Sequence, residues 1–180
     1  PDDFELRDYQ KQACSEALKV GRGVIDSPPR TGKTIMMAEL VRSVSDRTVI
    51  TAPTEPIAQQ THQKLLDLFA QNDWSGVSDC SHDFYLLTGG APKTRAAQMK
   101  VSKATVFVAT AATAVKMPQS FWDSIKCVIV DERHHQAAET YRTINDLAIN
   151  AYWRWGFTGT DFRSKAGEQV ALEACLGRTV

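Results

Sequence analysis

VIDSPPRTGKT, residues 24–34, begins as an apolar run, turns through two adjacent prolines and then sets a glycine, a cation and a hydroxyl side by side. To its left, GVID (23–26) reads as a short β-branched strand. To its right, KTIMMAELVRSVS (33–45) repeats apolar residues at three- and four-residue spacing, the period of a helix. SPPRTGKT is therefore a strand-loop-helix junction, the place where a phosphate-binding loop belongs. Backbone N–H groups from Thr31 to Thr34 are expected to converge on one concavity, to which the helix start adds partial positive charge. Gly32 lets the backbone approach an anion, Lys33 can reach the outer phosphates and the Thr34 hydroxyl can ligate Mg²⁺. Pro28 and Pro29 have no N–H to give, but they restrict the loop ahead of the donors. Ser27 stands where the general pattern has Gly.

The rest of the chain supplies the matching context. RTVITA (47–52), FYLLT (84–88), ATVFVAT (104–110), KCVIVD (126–131) and WGFTGT (155–160) are further strand candidates. Helical spacing recurs in YQKQACSEALKV (9–20), PIAQQTHQKLLDLFAQN (56–72), KTRAAQMKVS (93–102) and HHQAAETYRTINDLAI (134–149). Strands too apolar to have a wet face, alternating with helices, imply an α/β fold with a mostly parallel sheet covered on both faces. The polar stretch NDWSGVSDCSHD (72–83) is expected to be a surface loop.

Composition bounds the function. A chain of 180 residues, 43% hydrophobic, suits one well-cored domain. Lys plus Arg and Asp plus Glu each number 21, so no domain-wide basic field announces nucleic acid, and any polyanion site has to be local. Cys14, Cys80, Cys127 and Cys175 lack the close pairs of a zinc or thiol-disulfide motif and fit a reducing compartment. No window approaches the ~18 apolar residues of a membrane span and no signal peptide is visible, so an intracellular location, cytoplasm or nucleus, is expected.

A phosphate loop alone does not separate a kinase, a switch GTPase and a motor ATPase; a second site does. In CVIVDERHH (127–135) four apolar residues lead to Asp131 and Glu132 at a strand's carboxyl end, where open α/β sheets place ligands. Asp131 is suited to hold Mg²⁺, and Glu132 to orient and deprotonate an attacking water.

In this order SPPRTGKT, DERH and GFTGT resemble motifs I, II and III of superfamily 2 helicases and translocases, in the DExH branch. LRDYQ (6–10) is similar to the upstream adenine-reading element of that superfamily, TAPTEPIAQQ (51–60) to motif Ia, and TGG (88–90) with VAT (108–110) to the strand-contacting segments that follow. The resemblance covers nearly the whole chain and implies that residues 1–180 are the first RecA-like P-loop NTPase domain of such a motor. Nothing here matches motifs IV to VI, so a second RecA-like domain, in cis or in trans, is the implied partner. The implied cofactors are ATP and Mg²⁺. The carried-over adenine and loop positions are Leu6, Arg7, Gln10, Pro29, Arg30, Thr31, Gly32, Lys33 and Thr34. Asp131, Glu132 and His134 carry the chemistry, Thr158 and Thr160 the coupling, and Thr54, Gly89, Gly90 and Thr110 the nucleic-acid contacts. Arg133 and Gly159 depart from the residues usual in the family.

Contact with nucleic acid is implied by the resemblance. The one dense cationic run, Lys93, Arg95, Lys100 and Lys103, also reads as a solvated helix face. The resemblance places the track on N–H groups and hydroxyls that escape a charge count, with DNA expected ahead of RNA. A small P-loop kinase or GTPase would need a lid or a guanine-reading motif that is not visible, whereas a non-catalytic binding module of the same fold would keep the loop without the chemistry.

Overall fold

The computed structural model describes residues 5–28, 30–71, 83–89, 94–131 and 138–159. Helix α1 (Asp8–Val20) begins where the Gln10 side-chain oxygen accepts the Arg7 backbone N–H at 2.9 Å. It ends at Gly21, whose left-handed φ of 79° lets its N–H return to the Ala17 carbonyl at 2.8 Å. Strand β1 (Arg22–Asp26) then leads through the proline loop into α2 (Lys33–Val44). The chain continues through β2 (Thr48–Ala52), α3 (Glu55–Gln71), β3 (Phe84–Leu87), α4 (Arg95–Lys103) and β4 (Val106–Thr110). It goes on through α5 (Ala111–Ala114), α6 (Gln119–Trp122), β5 (Cys127–Val130), α7 (Ala138–Leu147) and β6 (Trp153–Thr158).

All six strands expected from the sequence form, and all pair in parallel in the order β1-β6-β5-β2-β4-β3. The short helices α5 and α6 go beyond those expectations, since four residues are too few to show a period. The first is started by the Thr110 hydroxyl, which accepts the Thr113 N–H at 3.2 Å. The second holds its place by burying Phe121 and Trp122. Apart from Asp83, the stretch read as a surface loop lies outside the described residues.

Each strand alternates side chains between two apolar layers. Val24, Val49, Phe107, Val128 and Val130 face a core with Trp122, Tyr141 and Ile144, under α4 to α7. Ile25, Ile50, Val108, Ile129 and Phe157 face the other, with Cys14, Met36, Leu40 and Leu65 of α1 to α3. β2 and β5 are buried along their whole length, as a parallel sheet covered on both faces requires. The first and last residues of β1, at the sheet's edge, are exposed.

Parallel pairing brings every strand's carboxyl end to one rim. Along it, in sheet order, stand Ser27, Thr158, Asp131, Thr54, Thr110 and Gly89, the points at which the chain leaves the sheet.

Candidate nucleotide and strand-contact rim

The phosphate-loop candidate starts without a spacer. Ser27 N–H donates to the Thr158 carbonyl at 2.7 Å, one residue beyond the Asp26↔Thr158 register, so the loop is tied to β6 at its root. Arg30 and Gly32 both take left-handed backbone, with φ of 70° and 82°. Arginine pays a steric cost there that glycine avoids. A side chain at Gly32 would be strained by that φ, and its Cβ would meet Gln10 Nε2 at 2.6 Å, so the amide would have to shift.

Between them Thr31 is bound on all sides. Its carbonyl accepts from the Tyr9 hydroxyl at 2.9 Å and from Gln10 Nε2 at 2.7 Å. Its hydroxyl donates to the Pro28 carbonyl at 2.7 Å and lies 2.6 Å from Ser27 Oγ. Its N–H, expected to face the concavity, turns back instead to the Pro28 carbonyl at 3.2 Å. That contact is the i to i+3 hydrogen bond of a tight turn, which takes up the N–H. From Lys33 onward α2 begins, and Ile35 and Met36 N–H both return to the Gly32 carbonyl.

Gln10 is 3% exposed, and its amide bridges the start of α1 to this loop. One amide hydrogen and one oxygen lone pair remain beyond those two bonds. Leu6 and Arg7 precede it at the same helix start, Leu6 half-buried and Arg7 exposed.

Asp131 stands across the gap, 8% exposed, with its N–H held by the Thr51 carbonyl at 2.8 Å. Only β6 lies between β1 and β5, so the loop root and Asp131 are two strand spacings apart, about 10 Å. Burial holds the Lys33 ammonium below the usual lysine range, and the Asp131 carboxylate pulls it back up. Lys33 and Thr34 are half-buried, Asp131 is buried, and the Lys33 ammonium and the Asp131 carboxylate are near enough to interact. Among the described residues no group of three or more His, Cys, Asp or Glu is placed to hold a metal. A divalent ion here would therefore take Thr34 and Asp131 and complete its shell with phosphate oxygens and water, the habit of Mg²⁺.

The other expected contacts occupy the far half of the rim, where β2, β4 and β3 are consecutive. Thr54 is exposed, and its carbonyl accepts the Ala58 N–H at 2.9 Å. Thr110 is half-buried, and its hydroxyl is engaged in capping α5. Gly89 is exposed with φ of 73°, and nothing lies within 4 Å of where its Cβ would be. Lys100 and Lys103, exposed at the end of α4, lead into the amino end of β4 and so lie away from this rim. Pro29, Gly90, Glu132, His134 and Thr160 lie outside the described residues.

Two participants are not legible in the sequence. Tyr9 carries no signal beyond its place beside Gln10. Ser27 reads as a mere departure from pattern until its hydroxyl is seen against Thr31, a partner whose only sequence trace is the i, i+4 spacing.

Residues 3–163 match the family described as type III restriction enzyme, res subunit. Among curated proteins, the chain is 29% identical over 172 residues to the DNA 3'-5' translocase XPB2 of Sulfurisphaera tokodaii, covering 94% of this chain and 34% of that protein. It is 27% identical over 169 residues to a putative DNA 3'-5' helicase Rad25 of Haloarcula marismortui, covering 92% of this chain and 24% of the relative. The chain thus spans about a third or less of these relatives. Among solved structures, the UvsW helicase of bacteriophage T4 superposes with a TM-score of 0.80 at 22% identity, over 98% of this chain and 60% of that one. The Hef helicase domain of Pyrococcus furiosus superposes with a TM-score of 0.74 at 18% identity, over 96% of this chain and 37% of that one. Both show the same RecA-like fold.

Proposed function

The chain belongs to the type III restriction enzyme res subunit family, within helicase superfamily 2, and on that premise we propose that it is the ATP-binding and hydrolysing domain of a DNA-dependent translocase or helicase. One observation carries the reading: Lys33 and Thr34 open a helix at the end of β1, and a buried Asp131 ends β5, with a single strand between them. The names of the curated relatives, which refer to DNA, support DNA as the track.

In this proposal the α2 start and Lys33 take the phosphates of ATP. Thr34 and Asp131 hold Mg²⁺, which when bound offsets phosphate charge. Glu132 orients and deprotonates the water, and Gln10, with Leu6 and Arg7 beside it, reads adenine through its remaining donor and acceptor. His134, Thr158 and Thr160 link the cleft to the strand-contact half, and Thr54, Gly89, Gly90 and Thr110 meet the DNA backbone. The division of the rim supports that last assignment, since phosphate-cleft and strand-contact residues occupy different neighbouring strand ends. A second RecA-like domain closes the cleft. No described helix is long and apolar enough to cross a membrane.

The test is a pair of substitutions in the protein joined to its second domain. Lys33→Ala should weaken Mg-ATP binding, because the cation attracts phosphate before and during reaction. Glu132→Gln should keep binding and slow hydrolysis by about 10²–10⁴, the size of a general-base contribution. Near-normal turnover of Glu132→Gln refutes its role. Tight Mg-ATP binding by Lys33→Ala refutes the phosphate loop.

A further inference from the structure

We infer that Ser27 is a positioning residue that latches the phosphate loop in a closed resting shape, so that nucleotide has to open a chain of hydroxyls to bind. The inference rests on the reading of residues 27–34 as a phosphate loop.

Proton counting sets the direction of the chain. Thr31 has one hydroxyl hydrogen, and it goes to the Pro28 carbonyl at 2.7 Å. The hydrogen shared across the 2.6 Å between Thr31 Oγ1 and Ser27 Oγ must then come from Ser27. The result is a relay from Ser27 Oγ–H to Thr31 Oγ1–H to the Pro28 carbonyl, in which each bond polarises the next. The same carbonyl takes the Thr31 N–H at 3.2 Å. Thr31 therefore shows the cleft none of its donors.

A phosphate seated at the start of α2 would want that N–H. Freeing it swings Thr31 away from Pro28, and Ser27, 1% exposed while Thr31 sits beside it, loses that acceptor. A glycine in this place, as in the general pattern, makes no such relay. The departure at Ser27 is thus the device itself, and it opposes binding.

Calorimetric titration of the chain with Mg-ATP and with Mg-ADP tests this on four proteins: unmodified, Ser27→Ala, Thr31→Val and the double variant. One hydrogen bond of ordinary net worth shifts the closed-to-open balance about 2- to 10-fold. Ser27→Ala should tighten both nucleotides by that factor. In the Thr31→Val background it should change nothing further, which a merely structural role for Ser27 would not produce. Without nucleotide, amide hydrogen exchange at Thr31 should quicken in Ser27→Ala. Unchanged or weaker binding by Ser27→Ala overturns the latch, as do unaltered Thr31 exchange and additive effects in the double variant. Should Ser27→Ala fail to fold, tighter binding by Thr31→Val supports the latch, and unchanged or weaker binding overturns it. Lys33→Ala, run alongside, separates the two levels: if it binds as the unmodified chain does, the phosphate-loop reading is what has failed.

Discussion

Arg30 holds backbone strain in the loop between β1 and α2. Its φ of 70° places a side chain in backbone space where L-residues cost about 1–2 kcal/mol. Glycine would remove that cost and give back about 0.5–1 kcal/mol in unfolded-chain entropy. Arg30→Gly should therefore stabilise the fold by about 0.5–1 kcal/mol, seen as a higher urea midpoint at unchanged slope. A lower midpoint would mean that the exposed guanidinium makes a contact worth more than the strain. The cysteines make a prediction of opposite kind. Burial pushes the Cys14 and Cys127 thiols up to about 12 from 9.0. Their folded values lie above their unfolded ones, so their contribution is fully present below pH 9 and drains away as pH climbs from 9 toward 12. The expected loss is about 1.4 kcal/mol per pH unit for each thiol. Urea midpoints at pH 8 and about pH 10.5 measure it, and Cys127→Ala should flatten the decline.

Among the elements, β6 has the most to hold apart and is itself held at its start. Arg154 is 5% exposed, and its guanidinium donates to the carbonyls of Ala151, Ala148 and Asn145 at 3.1, 2.5 and 3.2 Å, and to the Asn145 side chain. It thereby closes the carboxyl end of α7, where backbone acceptors are left over and a cation is favoured. Arg154→Met should cost about 2–4 kcal/mol, because buried carbonyls would lose charged donors. A midpoint within 0.5 kcal/mol of the unmodified chain, by the same urea measurement, would show that water satisfies them. Neither this anchor nor the strand order was legible in the sequence. Runs such as TVITA and CVIV announce buried strands through their apolar continuity, but nothing local says that β6 inserts between β1 and β5. The loop and the acid were legible because their chemistry needs particular residues at particular spacing. What the spacing could not show is that Thr31 turns its N–H away and that Gln10 is buried against it, since both depend on partners brought together by folding.

For the whole molecule, the described residues at the rim line one side of the proposed reaction site. On the proposed function Lys33 and the start of α2 would cover one side of a transferring phosphoryl group, and an arginine from a partner domain is worth about 10³–10⁵ in such reactions. The chain spans 34% of its relative from Sulfurisphaera tokodaii. Alone, it should bind Mg-ATP weakly and hydrolyse it slowly, with no response to single- or double-stranded DNA. Phosphate release with and without each polymer checks this, and strong stimulation would mean that the 180 residues complete the site by themselves or by pairing. The place of β1 also bears on how the protein is made. Its neighbour in the sheet is β6, so Asp26 meets Thr158 only after roughly 130 further residues have been joined. At a ribosome's pace of about 5–20 residues per second that wait is on the order of ten seconds. Throughout it the loop after β1 hangs from a strand that lacks its described sheet partner. A ribosome stalled short of residue 153 would leave β1 without its described partner strand.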